Sequence, residues 1–224
     1  YALLAEKQDI LEYVHLTLEK MALGGIYDQI GGGFARYSTD DHWKVPHFEK
    51  MLYDNAQMVS LYAQAYKLTK DELYKETIAK TLDFIEKEMY HPTGYFYSSL
   101  DADSYNDKNE KEEGAYYLWK KDDLKKLLKD NYKVFAAYYN INEYGYWEKG
   151  HYVLTRKKED AKIAGKFNLS VDELKQIVDD CIIILKSERA KRQKPALDDK
   201  TLTSWNALML TGYLDAYEAL GEKS

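Results

Sequence analysis

Only three prolines interrupt 224 residues, so long helices are free to form, proline being the residue that breaks helical hydrogen bonding. Leu11, Val14, Leu18 and Met21 recur at steps of 3, 4 and 3, which places them on one helical face. Gly24-Gly25 is expected to end that helix, as glycine can take the left-handed conformation past a C-terminus. The spacing predicts a second helix over 54–68, with Met58, Leu61, Ala65 and Leu68 inward. Thr69-Lys-Asp-Glu72 spells a capping box that opens a third, whose inner face is Ile78, Leu82, Ile85 and Met89. Ser170-Val-Asp-Glu173 is another such box, opening a helix with Val171, Leu174, Val178, Cys181 and Leu185 on its inner stripe. A last helix runs from about Ser204 to Leu220, with Asp199 or Thr203 available to cap it.

The middle of the chain changes character. Tyr95–Ser99 and Ala115–Trp119 are short, aromatic and bounded by Gly94 and Gly114, so they read as two extended segments of a small hairpin. A charged loop, 106–113, lies between them. Short helices follow around 122–129 and 133–140, then an extended piece near 146–154. Helices in pairs, joined by loops rich in aromatic and charged residues, predict an all-α chain. Its expected form is an α/α toroid of helical hairpins with short β-hairpin segments in the loops, a plain helical bundle being the alternative. No composition break divides it, so residues 1–224 are expected to form a single domain.

Several function classes fall away. No apolar run approaches the ~18 residues of a membrane span. Cys181 is the only cysteine, which excludes an intrachain disulfide framework, a CxxC redox pair and a cysteine-based zinc site. With 32 Lys and Arg against 38 Asp and Glu, the net charge of −6 argues against nucleic acid as a partner. The basic stretch Arg189–Lys194 then reads as a solvated helix end. The chain opens Tyr1-Ala2 without a methionine and reads as a piece of something longer, so its compartment is not legible and a cytoplasmic one is the default.

Chemistry concentrates in the loop that follows Gly31-Gly-Gly33, a run that lets the backbone turn sharply or approach a ligand. Arg36, Asp40, Asp41, His42, Trp43, His47, Glu49 and Asp54 then fall within nineteen positions. That density exceeds what a connector needs, although capping and mutual pairing account for such groups in a packed loop. His47 and Glu49 lack a third ligand at metal spacing, so neither metal nor cofactor is expected. Asp101 and Asp103 stand two apart on an extended segment and face the same side, and Glu113 follows the loop. Opposed carboxylates are what glycoside hydrolysis requires, and aromatic faces suit sugar rings. A turn is the alternative role for each acid.

Five stretches together carry a family likeness: Gly31-Gly-Gly-Phe-Ala-Arg-Tyr-Ser38, Trp43-Lys-Val-Pro-His-Phe-Glu-Lys-Met-Leu-Tyr-Asp-Asn-Ala56, Leu100-Asp-Ala-Asp-Ser104, Glu113-Gly-Ala-Tyr-Tyr-Leu-Trp119 and Asp198-Asp-Lys-Thr-Leu-Thr-Ser-Trp-Asn206. They resemble the thioredoxin-domain proteins related to spermatogenesis-associated protein 20. The resemblance implies a six-hairpin toroid like that of sugar 2-epimerases and glycosidases, incomplete here, and a thioredoxin-like domain elsewhere in the full-length chain as a partner. Ala35 stands where the family has His, Ala207 where it has Gly, and an insertion at 105–111 lengthens the loop between Asp103 and Glu113.

Three functions follow as expectations. As a carbohydrate-active enzyme, the chain uses Asp101 or Asp103 with Glu113 or Asp199 for hydrolysis, or His47 as the base of an epimerase with Arg36 holding the oxyanion. Arg36, Trp43, Glu49, Asp54, Trp119, Asp199, Trp205 and Asn206 are the candidate substrate contacts. As a binding module it holds a sugar without reaction, and as a scaffold it docks the thioredoxin-like domain.

Overall fold

The computed structural model describes residues 7–221, which form eight α-helices: α1 Gln8–Leu23, α2 Leu52–Thr69, α3 Glu72–Glu88, α4 Lys121–Leu128, α5 Tyr132–Tyr138, α6 Asp160–Lys166, α7 Val171–Arg189 and α8 Thr203–Leu220. They gather around two cores. Helices α1, α2, α3 and α8 enclose Leu18, Leu52, Tyr62, Ile78, Ile85 and Met209, while α4 to α7 enclose Trp119, Leu124, Phe135, Leu174, Cys181 and Leu185. Each such side chain contributes about 1.5–3 kcal/mol by leaving water. The architecture is all-α, helical hairpins packed around two cores with short β-hairpins in the loops, and no closed ring forms among the described residues.

The inner faces of α3 and α7 follow their periodicity, and Ser170 closes its capping box by accepting from Glu173 N at 3.1 Å while its own N–H donates to Glu173 Oε2 at 2.7 Å. The box at Thr69 does not form. Helix α2 continues through Thr69, whose hydroxyl donates to Ala65 O, and ends at Lys70 with φ 55°. Asp71 therefore caps α3 instead, accepting from Leu73 N at 3.0 Å. The face of α2 also differs from its apolar spacing. Leu61 and Leu68 are exposed, and the buried side is Leu52, Asn55, Ala56, Val59, Tyr62, Ala63 and, as expected, Ala65. Two polar side chains belong there because both are satisfied. Asn55 bonds both backbone groups of Phe34 and the carbonyl of Met51, and Tyr62 donates to Leu18 O at 2.7 Å. The N-cap of helix α8 is Leu202, and neither Asp199 nor Thr203 caps it with a side chain.

The extended segments pair differently from the expected hairpin. Residues 95–96 pair with 90–91, and 114–118 form a turn, whereas the hairpin that closes is Asp103–Tyr105 against Lys111–Glu113. Strands of two residues carry too little periodicity to declare their partners. The most consequential pairing is a three-stranded sheet in which Ser99–Leu100 lies between Lys50–Met51 and Leu197–Asp198. It stitches together three of the motif-bearing stretches.

The basic stretch after α7 is not a solvated helix end. Arg189 continues the inner stripe of α7 and is 7% exposed, with Nη1 at 2.9 Å from both carboxylate oxygens of Asp28. Lys50, 2% exposed, donates to Asp28 Oδ2 at 3.1 Å and to Gly32 O at 2.8 Å. Arg192 lies over the Trp119 ring at 4.0 Å and donates to Tyr116 O and Leu118 O. The glycine run serves packing. Gly33, at φ 80°, lies where a Cβ would come within 2.4 Å of the Phe84 ring.

Candidate functional site

The segment from His47 to Lys50 is extended, so successive side chains point to opposite faces. Phe48 and Lys50 are buried, while His47 and Glu49 turn outward to a half-exposed surface. His47 is set by its pairing with Tyr37, whose ring stacks on the imidazole at 4.9 Å. Arg36 is set by its own N–H, which donates to Glu49 O at 2.8 Å, and its guanidinium then reaches Glu49 Oε2 at 3.2 Å.

The second loop meets the first at the imidazole. His47 Nδ1 lies 2.8 Å from Glu113 Oε1, and Nε2 lies 3.9 Å from Glu49 Oε2. A carboxylate accepting from Nδ1–H leaves Nε2 as the basic nitrogen. Glu113 stands opposite Asp103 across the hairpin, and Lys111 from the same strand reaches Asp101 at 3.2 Å and Asp103 at 3.6 Å. The insertion that lengthened this loop thus carries the cation that ties both aspartates together. Although burial raises the Asp101 carboxyl, the Asp103 N–H and Lys111 outweigh it and hold Asp101 below the usual carboxylate range.

Asp54 is the acid of the cluster that shifts upward. Burial pushes its carboxyl up to about 6, the charge of Glu49 adds to the rise, and Arg36 opposes it. Its Oδ2 is buried without a hydrogen-bond partner. A carboxyl in that condition holds a proton far above the pH at which an exposed one releases it, as general acids do. The Glu49 bond strengthens the hold of Arg36 on its own proton, and the Tyr53 phenol lies beside the same guanidinium. Tyr53 in turn contacts Trp205 of α8, ring centres 4.7 Å apart.

The structure therefore brings together His47, Glu49, Arg36, Asp54, Glu113, Asp103 and Asp101, with Trp205 at the border. It separates the others. Trp119 is fully buried in the second core, so its ring is not open to a substrate. Trp43, at φ 57°, is a packing residue whose carbonyl accepts from Gly25 N and Ile26 N. Asn206 is spent on both backbone groups of Phe96, and Asp199 is exposed in the link before α8. Tyr37, Tyr53 and Lys111 are members that sequence reasoning passed over. Tyr37 and Tyr53 each neighbour a chosen residue in sequence, and Lys111 is the one cation between Asp103 and Glu113 that falls on the hairpin. Among the described residues no group of three or more His, Cys, Asp or Glu is arranged to hold a metal ion.

No family model matches the chain. Human spermatogenesis-associated protein 20 is 36% identical over 226 residues, covering 92% of this chain and 29% of that protein. The mouse protein of the same name is 35% identical over 225 residues, covering 92% of this chain and 28% of that protein. This chain belongs among the relatives of spermatogenesis-associated protein 20. An uncharacterised protein of Caenorhabditis elegans is 38% identical over 235 residues, 96% of this chain and 32% of that one. The chain thus spans about three tenths of the length of these relatives of spermatogenesis-associated protein 20. Among solved structures, a family 76 glycoside hydrolase from a bovine Bacteroides thetaiotaomicron strain aligns with a TM-score of 0.42 at 12% identity, over 99% of this chain and 41% of that one. A D-mannose isomerase aligns with a TM-score of 0.34 at 15% identity, over 94% of this chain and 48% of that one. Among the described residues no helix is long and apolar enough to cross a membrane.

Proposed function

We propose that this chain carries a proton-transfer site for a sugar or sugar-derived hydroxy-carbonyl compound, working as an epimerase or isomerase does. The observation that carries the proposal is the His47–Glu113 contact at 2.8 Å, with the imidazole held on its far face by Tyr37. In the proposed reaction Nε2 takes the proton from the carbon beside the carbonyl, and Glu113 stabilises the imidazolium that results. Arg36 stands by to stabilise the oxygen that gains charge. Asp54, with its carboxyl pushed up to about 6, supplies a proton to the carbon or the oxygen when the intermediate collapses. Tyr37, Tyr53 and Trp205 offer the flat apolar faces against which sugar rings rest. Hydrolysis by Asp101 or Asp103 with Glu113 or Asp199 has less support, because Lys111 engages both aspartates, Asp101 is held ionised and Glu113 is engaged by His47.

The test is exchange of carbon-bound hydrogen. The intact protein is incubated in deuterated water with a panel of aldoses, ketoses and N-acylated hexosamines, and deuterium incorporation is read by NMR. His47→Asn is expected to slow incorporation by roughly 100-fold or more, with thermal unfolding unchanged. Saturable quenching of tryptophan fluorescence without incorporation or product assigns the site to binding alone. Absence of both signals overturns the sugar reading.

A further inference from the structure

A cavity of about 180 Å³ opens between α3, α7 and the turn at 114–118, on the buried side of the strand that bears His47 and Glu49 on its other face. Its floor is the Asp28 carboxylate with Lys50 and Arg189, so two buried cations share one anion. Asp28 has no capacity left to balance both. Its Oδ1 also accepts from Ile30 N and Gly31 N, and its Oδ2 takes Lys50 as well as Arg189. At the rim, Lys87 pairs with Asp83 and Lys194 with Glu88, both at 2.6 Å. The ammonium of Lys186, the remaining cation lining the cavity, makes no ion pair or hydrogen bond among the described residues, although the charge of Asp83 acts on it. The lining therefore holds five cations against three carboxylates, an excess of two positive charges.

Uncompensated charge of one sign, partly withdrawn from water, is unfavourable until an opposite charge arrives. Burial already pulls the Lys50 ammonium below its ordinary range, with Asp28 restoring part and Arg189 opposing it. The shape of the cavity is kept open by a missing side chain. A Cβ at Gly31 would fall 2.0 Å from Arg189 Nη2, so any larger residue displaces the guanidinium. Tyr116 and Tyr117 flank the same guanidinium with ring centres at 5.1 and 5.8 Å. Their hydroxyls make no hydrogen bond among the described residues and are free to donate.

We infer that this cavity is an anion site for a phosphate group, inorganic or carried as a monoester, held between Arg189 and Lys50 below and Lys186 at the mouth. A phosphate carries close to two negative charges near neutral pH, which matches the excess, and its oxygens accept from guanidinium, ammonium and phenol together. A single carboxylate would neutralise half of it. The site lies on the opposite face of the strand from His47 and is independent of the proton-transfer proposal.

Inorganic phosphate and glucose 6-phosphate, each titrated into the full chain at constant ionic strength, test the inference by calorimetry and thermal unfolding. Saturable binding of either, with a rise in unfolding temperature that sodium chloride does not reproduce, is expected, and the tighter of the two identifies the form the site prefers. Lys186→Gln weakens binding about tenfold while Lys186→Arg retains it. Because Arg189 also anchors Asp28, Tyr117→Phe is the second variant, expected to weaken binding without unfolding the chain. Equal effects of chloride and phosphate, or a Lys186→Gln variant that binds as the parent does, overturn the site. His47→Asn leaves phosphate binding intact, which separates this test from that of the proton-transfer site.

Discussion

His47 and Glu49 on one face of a strand, and Lys50 on the other, place two charge clusters of opposite character within one side chain's reach along the backbone. The inner cluster, Asp28 with Lys50 and Arg189, is largely withdrawn from water at the floor of its cavity, its side chains between 3% and 10% exposed. The outer one, running from Arg36 through His47 to Lys111, has side chains between 25% and 51% exposed. Water screens the outer pairs and makes them energetically weak, which leaves their groups able to exchange partners with a ligand. The inner pairs do not part so easily, and removal of one member strands a charge in the interior. A motif dense in charges therefore divides into a buried and a solvated half by strand parity.

The sharpest way to break this contrast is Asp28→Asn, which leaves Lys50 and Arg189 unpaired and is expected to lower stability by about 3–5 kcal/mol in urea unfolding. A loss below 1 kcal/mol would show that the inner cluster is solvated after all. Asn55→Ala, which orphans buried backbone groups of Phe34, follows with a loss of about 1–3 kcal/mol. Acid–base behaviour then separates the two aspartates by sign. Burial raises Asp28, yet Arg189 and Lys50 prevail and keep it far below its ordinary 3.8, so its contribution is present above that value and is lost as pH falls below it. Asp54 is raised to about 6, so the folded state holds the extra proton and stability declines as pH climbs from 3.8 to about 6. Asp54→Asn is expected to flatten that decline in unfolding measured across the interval, and an NMR titration should find the carboxyl near 6. Smallest is Lys111→Ala, whose loss of exposed pairs with Asp101 and Asp103 changes stability by about 1 kcal/mol or less.

The helices were legible because their signals are local. Leu174, Val178, Cys181 and Leu185 mark the face of α7 by spacing, and Ser170 with Glu173 marks its start. Arg189 continues the same spacing, and only its charge hid that it belongs to the interior. Asn55 and Tyr62 misled in the same way on α2, since a periodicity built from apolar residues overlooks polar ones whose partners come from Phe34 and Leu18. At the site, His47, Glu113 and Asp103 were legible as residue types suited to acid–base work. Their meeting was not, because it depends on which strands of two or three residues pair. Trp119 shows the limit of composition, since an aromatic beside acids in sequence became the centre of a core.

The sheet formed by Lys50–Met51, Ser99–Leu100 and Leu197–Asp198 has a consequence for the order of assembly. Its central strand needs a neighbour from the first quarter of the chain and another from near its end. A ribosome must release everything from Lys50 to Asp198 before that sheet is complete, and until then one edge of Ser99–Leu100 offers bare amide groups to any passing strand.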